Sequence, residues 1–132
     1  MCQGYAPVLN QLSLDFAAQA VKFIGVFPNY YATDSAIAVF RKDYEVLFEL
    51  QRDSGFVLTN RFGATITPQV VLETVTGQIL YSGQIDNAYF RAGKRRGTTS
   101  DFYLRNAIQA VLNAEQVPLN KTQPIGCVIV KD

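Results

Sequence analysis

The sequence predicts an α/β layer fold, and three observations support this prediction. Helix-like periodicity alternates along the chain with short strand-like runs, an order typical of mixed α/β domains. The chain has 132 residues, of which 48% are hydrophobic and 17% charged, so residues 1–132 can bury a substantial core as a single domain. No internal repeat or low-complexity linker divides the sequence.

The first part of the chain predicts helix, strand, helix and strand in that order. Apolar residues spaced by three and four over 5–20 predict an amphipathic helix. The nearly continuous apolar run 21–27 predicts a strand that is buried on both faces of a sheet. Thr33 or Asp34 is expected to cap the second helix, and residues 46–50 predict the second short strand.

The middle of the chain predicts a brief helix followed by a β-hairpin. The helix is expected within residues 53–62, with Asp53 or Ser54 as its cap. Residues 70–75 and 78–84 are two strand-like runs joined at a Thr-Gly pair, which favours a hairpin.

The last part of the chain predicts a loop, a helix and a strand-like tail. The predicted loop, residues 86–99, carries the basic residues Arg91, Lys94, Arg95 and Arg96. A solvated loop is the simpler interpretation, and docking of an acidic partner or an anion is the alternative. A final helix is expected to begin at Ser100 or Asp101, followed by the tail strand at 125–130. The core-facing residues predicted for this final helix are Leu104, Ile108, Val111 and Leu112.

Composition excludes several classes of function. Twelve basic against eleven acidic residues give a net charge of +1, which argues against a nucleic-acid partner or an anionic membrane. No apolar run approaches the ~20 residues that span a bilayer. The sequence has no histidine, which excludes imidazole catalysis, and its two cysteines are too few for a tetrahedral zinc site. We therefore expect no metal and no cofactor, and thiols or carboxylates as the reactive groups.

Three residues stand out as candidates for a site. Pro68 directly precedes a run of strand-forming residues, a position that favours a rigid corner at a strand entrance or edge. Cys2 lies at the head of the first predicted helix, where the helix N-terminus lowers the pKa of a thiol. Cys127 lies in an apolar tail, so a buried inert thiol is the simpler interpretation and a reactive thiol the alternative.

These features together resemble a known fold. A cysteine at the head of an amphipathic helix, a buried strand, and Gly-Ala-Thr-Ile-Thr-Pro (residues 63–68) before a hairpin and a last helix resemble the thioredoxin fold. More narrowly, the chain resembles the redoxin family of alkyl hydroperoxide reductase/thiol-specific antioxidant relatives. The resemblance extends from Cys2 to Cys127 and implies a three-layer sandwich with a mixed sheet. It also implies a cis peptide bond between Thr67 and Pro68.

The resemblance implies a thiol-disulfide oxidoreductase whose substrates are protein or small-molecule thiols and disulfides. Cys2 would be the surviving active-site thiol and Cys127 a distant resolving thiol, while Ile66, Thr67 and Pro68 would shape the substrate groove. Disulfide exchange is favoured over peroxide reduction, because the pattern Pro-x-x-x-Thr-x-x-Cys is absent from the sequence. The alternative is a thiol-inactive domain that binds or assembles through the same groove or through the basic loop. A disulfide between Cys2 and Cys127 is a further alternative.

The sequence departs from the family pattern at its beginning. Family members open with a strand and then Cys-Pro-x-Cys, and residues 2–7 of this chain match the pattern only from the fourth position of that motif onward. We therefore expect that the natural protein continues ahead of Met1 or that this copy has lost its main nucleophile. The first central strand would also be absent, and an unpaired strand edge invites pairing. We expect either that the tail 125–130 enters the sheet or that two chains form a homodimer by exchanging strands. The compartment stays open between cytoplasm and periplasm.

Overall fold

A computed structural model describes residues 2–28, 32–91 and 93–130, without the side chains of Cys2 and Gln3. These ranges form four helices and eight short strands, which confirms the predicted α/β class. The helices are α1 (Cys2–Asp15), α2 (Asp34–Asp43), α3 (Val57–Phe62) and α4 (Tyr103–Leu112). The strands are β1 (Ile24–Phe27), β2 (Glu49–Arg52), β3 (Ile66–Thr67), β4 (Val70–Glu73), β5 (Ile79–Gly83), β6 (Tyr89–Arg91), β7 (Lys94–Arg95) and β8 (Cys127–Val128). They pair two by two, as β1 with β2, β3 with β8, β4 with β5 and β6 with β7.

The described chain forms two compact units. One unit contains residues 66–128, and the other contains residues 2–65 together with 129–130. None of the helices in the described ranges is long and apolar enough to cross a membrane.

In the unit of residues 2–65, β1 and β2 run parallel, with Ile24 opposite Glu49. Helix α1 is tied to the segment before β2 by Asn10. Its Nδ2 donates to the carbonyl of Glu45 at 3.0 Å, and its Oδ1 accepts the backbone N–H of Leu47 at 3.0 Å. A polar side chain in the middle of the helix thereby fixes the entry to β2.

Both predicted strands of this unit differ from expectation. The run 21–27 contracts to β1, whose residues are exposed or half-buried rather than buried on both faces. Only the last two residues of the run 46–50 enter the second strand, which lies at 49–52. The reason is local, because Arg41 Nη1 donates to the carbonyls of Val46 and Phe48 at 3.1 and 3.0 Å. Together with the Asn10 contact, these bonds use the backbone groups that a strand would offer to its neighbour.

In this unit Thr33 caps α2 as predicted. Asp53 binds the first turn of α3 from ahead of a short 3-10 turn (Ser54–Phe56), so it is not at the N-cap position of α3, which Phe56 occupies. Thr33 Oγ1 accepts the N–H of Ala36 at 3.1 Å and begins α2. The carboxylate of Asp53, which is buried, accepts the backbone N–H of Leu58 at 3.0 Å and that of Thr59 at 2.8 Å. Burial raises the pKa of Asp53, but the hydrogen bonds from the hydroxyl and amides of the first turn of α3 outweigh it and leave the pKa below its usual value.

In the unit of residues 66–128, the predicted hairpin is present and carries α4. Strands β4 and β5 are antiparallel, with Val70 opposite Gly83 and Leu72 opposite Tyr81. Helix α4 packs on these two strands. The side chains of Tyr81 and Ile108 are almost completely inaccessible to solvent, at 0% and 2% exposure. This hairpin and helix therefore form the centre of the unit's core.

Helix α4 differs from its predicted face and start. Leu104 and Ile108 are buried as expected, whereas Val111 and Leu112, in the last turn, are exposed. The small residues Ala107 and Ala110 are buried instead. Neither Ser100 nor Asp101 caps α4 through its side chain, because Phe102 occupies the N-cap position directly before the helix. The N–H groups of Ser100 and Asp101 are already bonded to Asn87 Oδ1 at 2.9 and 3.0 Å.

The predicted loop 86–99 contains a second hairpin, so its assignment as a loop is wrong in part. Strands β6 and β7 pair with Tyr89 opposite Arg95 and Arg91 opposite Lys94. The pairing is extended by the N–H of Arg96, which donates to the carbonyl of Ala88 at 2.7 Å. The sequence signal was too short to show this hairpin, because β7 has only two residues. Asp86 accepts the N–H of Ala88 at 2.9 Å, which agrees with its predicted role as a turn residue.

Candidate functional site

The candidate site lies where the C-terminal tail pairs with β3. Strands β3 and β8 are antiparallel, with Ile66 opposite Val128 and Thr67 opposite Cys127. The prediction that the tail 125–130 enters a sheet is thereby confirmed for Cys127 and Val128. Directly opposed residues of an antiparallel pair have Cα atoms about 4.5–5.5 Å apart. The pairing therefore places the Cys127 backbone beside the residue that precedes Pro68.

The Thr67–Pro68 bond is cis, as the family resemblance implied. Gly126 packs directly against this peptide. A Cβ atom at position 126 would lie 2.7 Å from the carbonyl carbon of Thr67 and 3.0 Å from Pro68 Cδ, and closer still to the Thr67 carbonyl oxygen. Only glycine fits here, a requirement that the apolar pattern of the tail did not predict. The sign of this close packing in the sequence is the glycine directly before Cys127.

The environment of Cys127 differs from the simpler expectation. Its side chain is exposed and its thiol is free, so the prediction that Cys127 is buried is wrong. Strand β8 pairs with β3 alone in its two-stranded sheet. Its neighbour Val128 is also 71% exposed. An apolar alternation normally indicates burial, but a short edge strand leaves side chains open to solvent. The thiol is therefore accessible to a reagent or a substrate.

Cys2 is the first residue of α1, in the unit of residues 2–65. Its predicted position at the head of a helix is confirmed. Its side chain lies outside the described part of the structure. Among the predicted site residues, the structure thus brings together Ile66, Thr67, Pro68 and Cys127 in the other unit.

The tail is held in place by a second set of contacts before it reaches β3. Ser82 of β5 donates its N–H to the carbonyl of Asn120 at 3.1 Å and accepts the N–H of Thr122 at 3.0 Å. Thr122 Oγ1 accepts the N–H of Gln84 at 2.8 Å and lies 2.7 Å from the Tyr81 hydroxyl. The tail therefore runs along β5 before it reaches β3.

The hydroxyl of Tyr81 completes this anchor. It donates to the carbonyl of Gln84 at 2.5 Å, so its contact with Thr122 requires Thr122 to be the donor. Burial, and to a smaller extent the neighbouring Tyr103, raises the pKa of Tyr81 to about 12, while its hydrogen bonds with Thr122 and Gln84 oppose this shift. The Tyr81 phenol is therefore neutral over the physiological range. The strand-like run 78–84 predicts a strand at Tyr81 but contains no sign of this contact to the tail.

The described ranges contain no group of three or more cysteine, aspartate or glutamate residues arranged to hold a metal ion. What the site offers chemically is an exposed thiol on an edge strand, opposite Thr67 and next to a proline that lacks an N–H. A thiol in such a position can form a mixed disulfide with an extended substrate.

Comparison with known proteins gives structural neighbours without a known function. No protein-family model matches the chain, and no curated protein matches it. A hypothetical protein from Sinorhizobium meliloti is similar in structure with a TM-score of 0.79 and 26% identity, covering 95% of this chain and 69% of that one. An uncharacterized conserved protein from Geobacillus kaustophilus is similar with a TM-score of 0.81 and 19% identity, covering 99% of this chain and 70% of that one. Both similarities show a shared fold.

Proposed function

We propose that this protein is a thiol-disulfide oxidoreductase of the redoxin type on a thioredoxin-like three-layer sandwich. The observation that supports the proposal is the exposed free thiol of Cys127, paired in register with Thr67 next to the cis Pro68. The resemblance of residues 2–7 and 63–68 to redoxins supports the same activity.

In the proposed reaction, the thiolate of Cys127 attacks one sulfur of a substrate disulfide. A bond forms between Cys127 Sγ and that sulfur, while the substrate disulfide breaks and its second sulfur leaves as a thiolate that takes a proton from water. One thiol of an external dithiol then attacks Cys127 Sγ and releases the other half of the substrate as a thiolate, which takes a proton from water. The second thiol of the dithiol attacks its own sulfur in the resulting mixed disulfide, which closes the oxidised dithiol and frees the Cys127 thiolate. The external dithiol ends as the oxidised product, so electrons pass from it to the substrate.

Residues Ile66, Thr67 and Pro68 are proposed to shape the substrate groove indirectly, because β3 and the proline that follows it hold β8 and Cys127 in register. Strand β8 pairs with β3 on one side only in their two-stranded sheet. An extended peptide could add to the other side of β8 through backbone hydrogen bonds, the mode known as β-augmentation. This would carry a substrate sulfur past Cys127.

The test is reduction of a protein disulfide or a small aromatic disulfide with dithiothreitol as the electron donor. Variants Cys127→Ser, Cys2→Ser and the double variant are compared with the unmodified chain, and Val128→Ser is the matched control on the same exposed strand. Loss of the nucleophile is expected to reduce the catalysed rate by about a hundredfold or more, as for other covalent catalysts. Val128→Ser should keep the rate within about twofold.

A mixed disulfide trapped on Cys127 and identified by mass spectrometry would support its role directly. If the unmodified chain is no faster than the double cysteine variant, the oxidoreductase proposal is wrong. The alternative is then the thiol-inactive binding or assembly domain. The exposed edge of β8 favours an assembly role, and sedimentation of the chain at several concentrations would test for a homodimer.

A further inference from the structure

The β6–β7 hairpin concentrates positive charge on one exposed surface, here called the basic hairpin. Its basic residues are Arg91, Lys94, Arg95 and Arg96, and all four side chains are exposed. Residues 88–100 contain no acidic residue, although the whole chain has a net charge of only +1. An ion pair joins Lys22 to Glu49, well away in sequence from the hairpin. Residues 88–100 therefore carry four positive charges and no negative charge.

All three arginines of the basic hairpin lie over aromatic rings of the same hairpin. The guanidinium carbon of Arg95 is 5.3 Å from the ring centroid of Tyr89. Those of Arg91 and Arg96 are 5.6 and 5.9 Å from the ring centroid of Phe90. Stacking on a ring reduces the freedom of a guanidinium and leaves its N–H groups available at its edge. The arginines are thus arranged in advance to bind planar carboxylates in pairs of hydrogen bonds.

The ring of Phe90 supplies an apolar contact within this charge. Its side chain is 47% exposed, whereas Tyr89 is buried beneath the hairpin surface. An exposed aromatic ring flanked by arginines is the composition found at the energetically important centres of protein interfaces.

We propose that the basic hairpin is a docking surface for an acidic polypeptide segment. Carboxylates of the segment would bind Arg91, Arg95 and Arg96, and an apolar side chain of the segment would pack on Phe90. This surface is independent of the thiol chemistry proposed above, since it uses neither cysteine.

The observations favour a peptide over a single-stranded nucleic acid. Proteins that bind single strands stack successive bases on several exposed rings along a groove. The basic hairpin exposes one ring, and two guanidinium groups already lie over it. Its strands have three and two residues, so it spans roughly 10 Å, the length of about three residues of an extended peptide.

The experiment measures binding of a fluorescent peptide of alternating glutamate and leucine to the full chain by anisotropy. The test variant replaces Arg91, Arg95 and Arg96 with Gln. The matched control replaces Lys22, Lys42 and Lys121 with Gln, which removes the same net charge from positions elsewhere on the chain. We expect the test variant to weaken binding by about tenfold or more and the control by about twofold or less. Affinity should also fall as salt rises from about 50 to 300 mM.

Two further variants distinguish a specific binding surface from nonspecific electrostatic attraction. Replacing the three arginines with Lys keeps the charge and removes the planar groups. This variant should lower the logarithm of the affinity by about half as much as the Gln variant does. Phe90→Ala should weaken binding of this peptide more than that of one with serine in place of leucine. Equal losses in the test and control variants, or no binding of the peptide, would overturn the proposal, and tighter binding of oligothymidylate would replace the peptide with a nucleic acid. Unchanged thiol activity in the arginine variants would keep the two proposals distinct.

Discussion

At the scale of single residues, Gly126 fixes the place of the Cys127 thiol. The close packing of Gly126 against Thr67 and Pro68 leaves no room for a side chain. Because Cys127 follows directly, any shift at Gly126 moves the thiol relative to Thr67. A backbone contact rather than a hydrogen bond from a side chain thus positions the candidate nucleophile.

We expect Gly126→Ala to lower the free energy of unfolding by about 1–3 kcal/mol, because the new Cβ forces the tail away from β3. The same variant should slow disulfide reduction if Cys127 acts in the proposed place. The matched control is Gly97→Ala, since Gly97 is exposed and a Cβ there would meet nothing within 4 Å. Urea denaturation followed by circular dichroism measures the free energy of unfolding of both variants. Equal stability of the two variants would show that the tail does not pack as described.

Asp53 supports a second prediction at this scale. Asp53→Asn should cost about 1–3 kcal/mol, because the buried carboxylate accepts charge-assisted hydrogen bonds from Leu58 and Thr59. The folded pKa of Asp53 lies below the ordinary 3.8. Its stabilisation is therefore complete above that pH and is lost as the pH falls through the lower folded pKa.

The measurement for Asp53 is the difference in urea midpoint between the unmodified chain and Asp53→Asn at several pH values. The difference should be full at about pH 6 and shrink below the ordinary pKa of 3.8. Asp43→Asn is the control, because Asp43 is exposed at the end of α2. A difference that stays constant down to about pH 2 would contradict the assigned role.

At the scale of elements, the tail depends on the contact between Tyr81 of β5 and Thr122. Tyr81 has a folded pKa of about 12 against an ordinary 10.0. A raised folded pKa means that the folded state prefers the neutral phenol, so its contribution to stability is complete below pH 10 and is lost as the pH rises toward 12. The tail should therefore loosen in strong alkali.

We expect Tyr81→Phe to cost about 0.5–1.5 kcal/mol near neutral pH, through the lost hydrogen bonds to Gln84 and Thr122. The variant should also lack the part of the alkaline destabilisation that belongs to Tyr81. Stability measured by urea denaturation between pH 9 and about 12 tests this, with Tyr44→Phe, a partly exposed tyrosine, as the control. Identical alkaline profiles for the unmodified chain and Tyr81→Phe would be inconsistent with the raised pKa.

The sequence predicted elements where local chemistry decides them. Thr33 begins a helix because it needs only an amide of the next turn. Asp53 was recognised as a helix-binding carboxylate, although the amides it binds lie further along the chain, at Leu58 and Thr59. The second strand was misplaced because Asn10 and Arg41, which are distant in sequence or on another element, bind the backbone of residues 45–48. Periodicity contains no information about such contacts.

Contacts between distant residues also limited how much of the site could be predicted. The cis bond at Thr67–Pro68 followed from the family resemblance, since an X-Pro dipeptide alone favours trans. The exposure of Cys127 could not be predicted, because it depends on the tail forming a short edge strand. Tyr81 and Thr122 are far apart in sequence, and their contact depends on the same path of the tail.

At the scale of the whole molecule, the chain passes between its two units twice. It leaves the unit of residues 2–65 after Thr65 and returns to it at Ile129, whose N–H donates to the carbonyl of Thr65 at 2.9 Å. That hydrogen bond closes a loop containing the whole unit of residues 66–128. Closing a long loop costs conformational entropy, and the cost is smaller when the intervening chain is already folded.

We therefore expect the chain to unfold in a single cooperative transition, in agreement with the predicted single domain. Gly126→Ala changes the unit of residues 66–128 and Asp53→Asn the other unit, so the two variants distinguish the possibilities. In a single transition, both variants lower the same midpoint and their effects add within about 0.5 kcal/mol. Calorimetry of the two variants and their combination is the measurement. Two resolved transitions, each moved by one variant alone, would show that the units unfold independently and that the closure at Thr65 does not couple them.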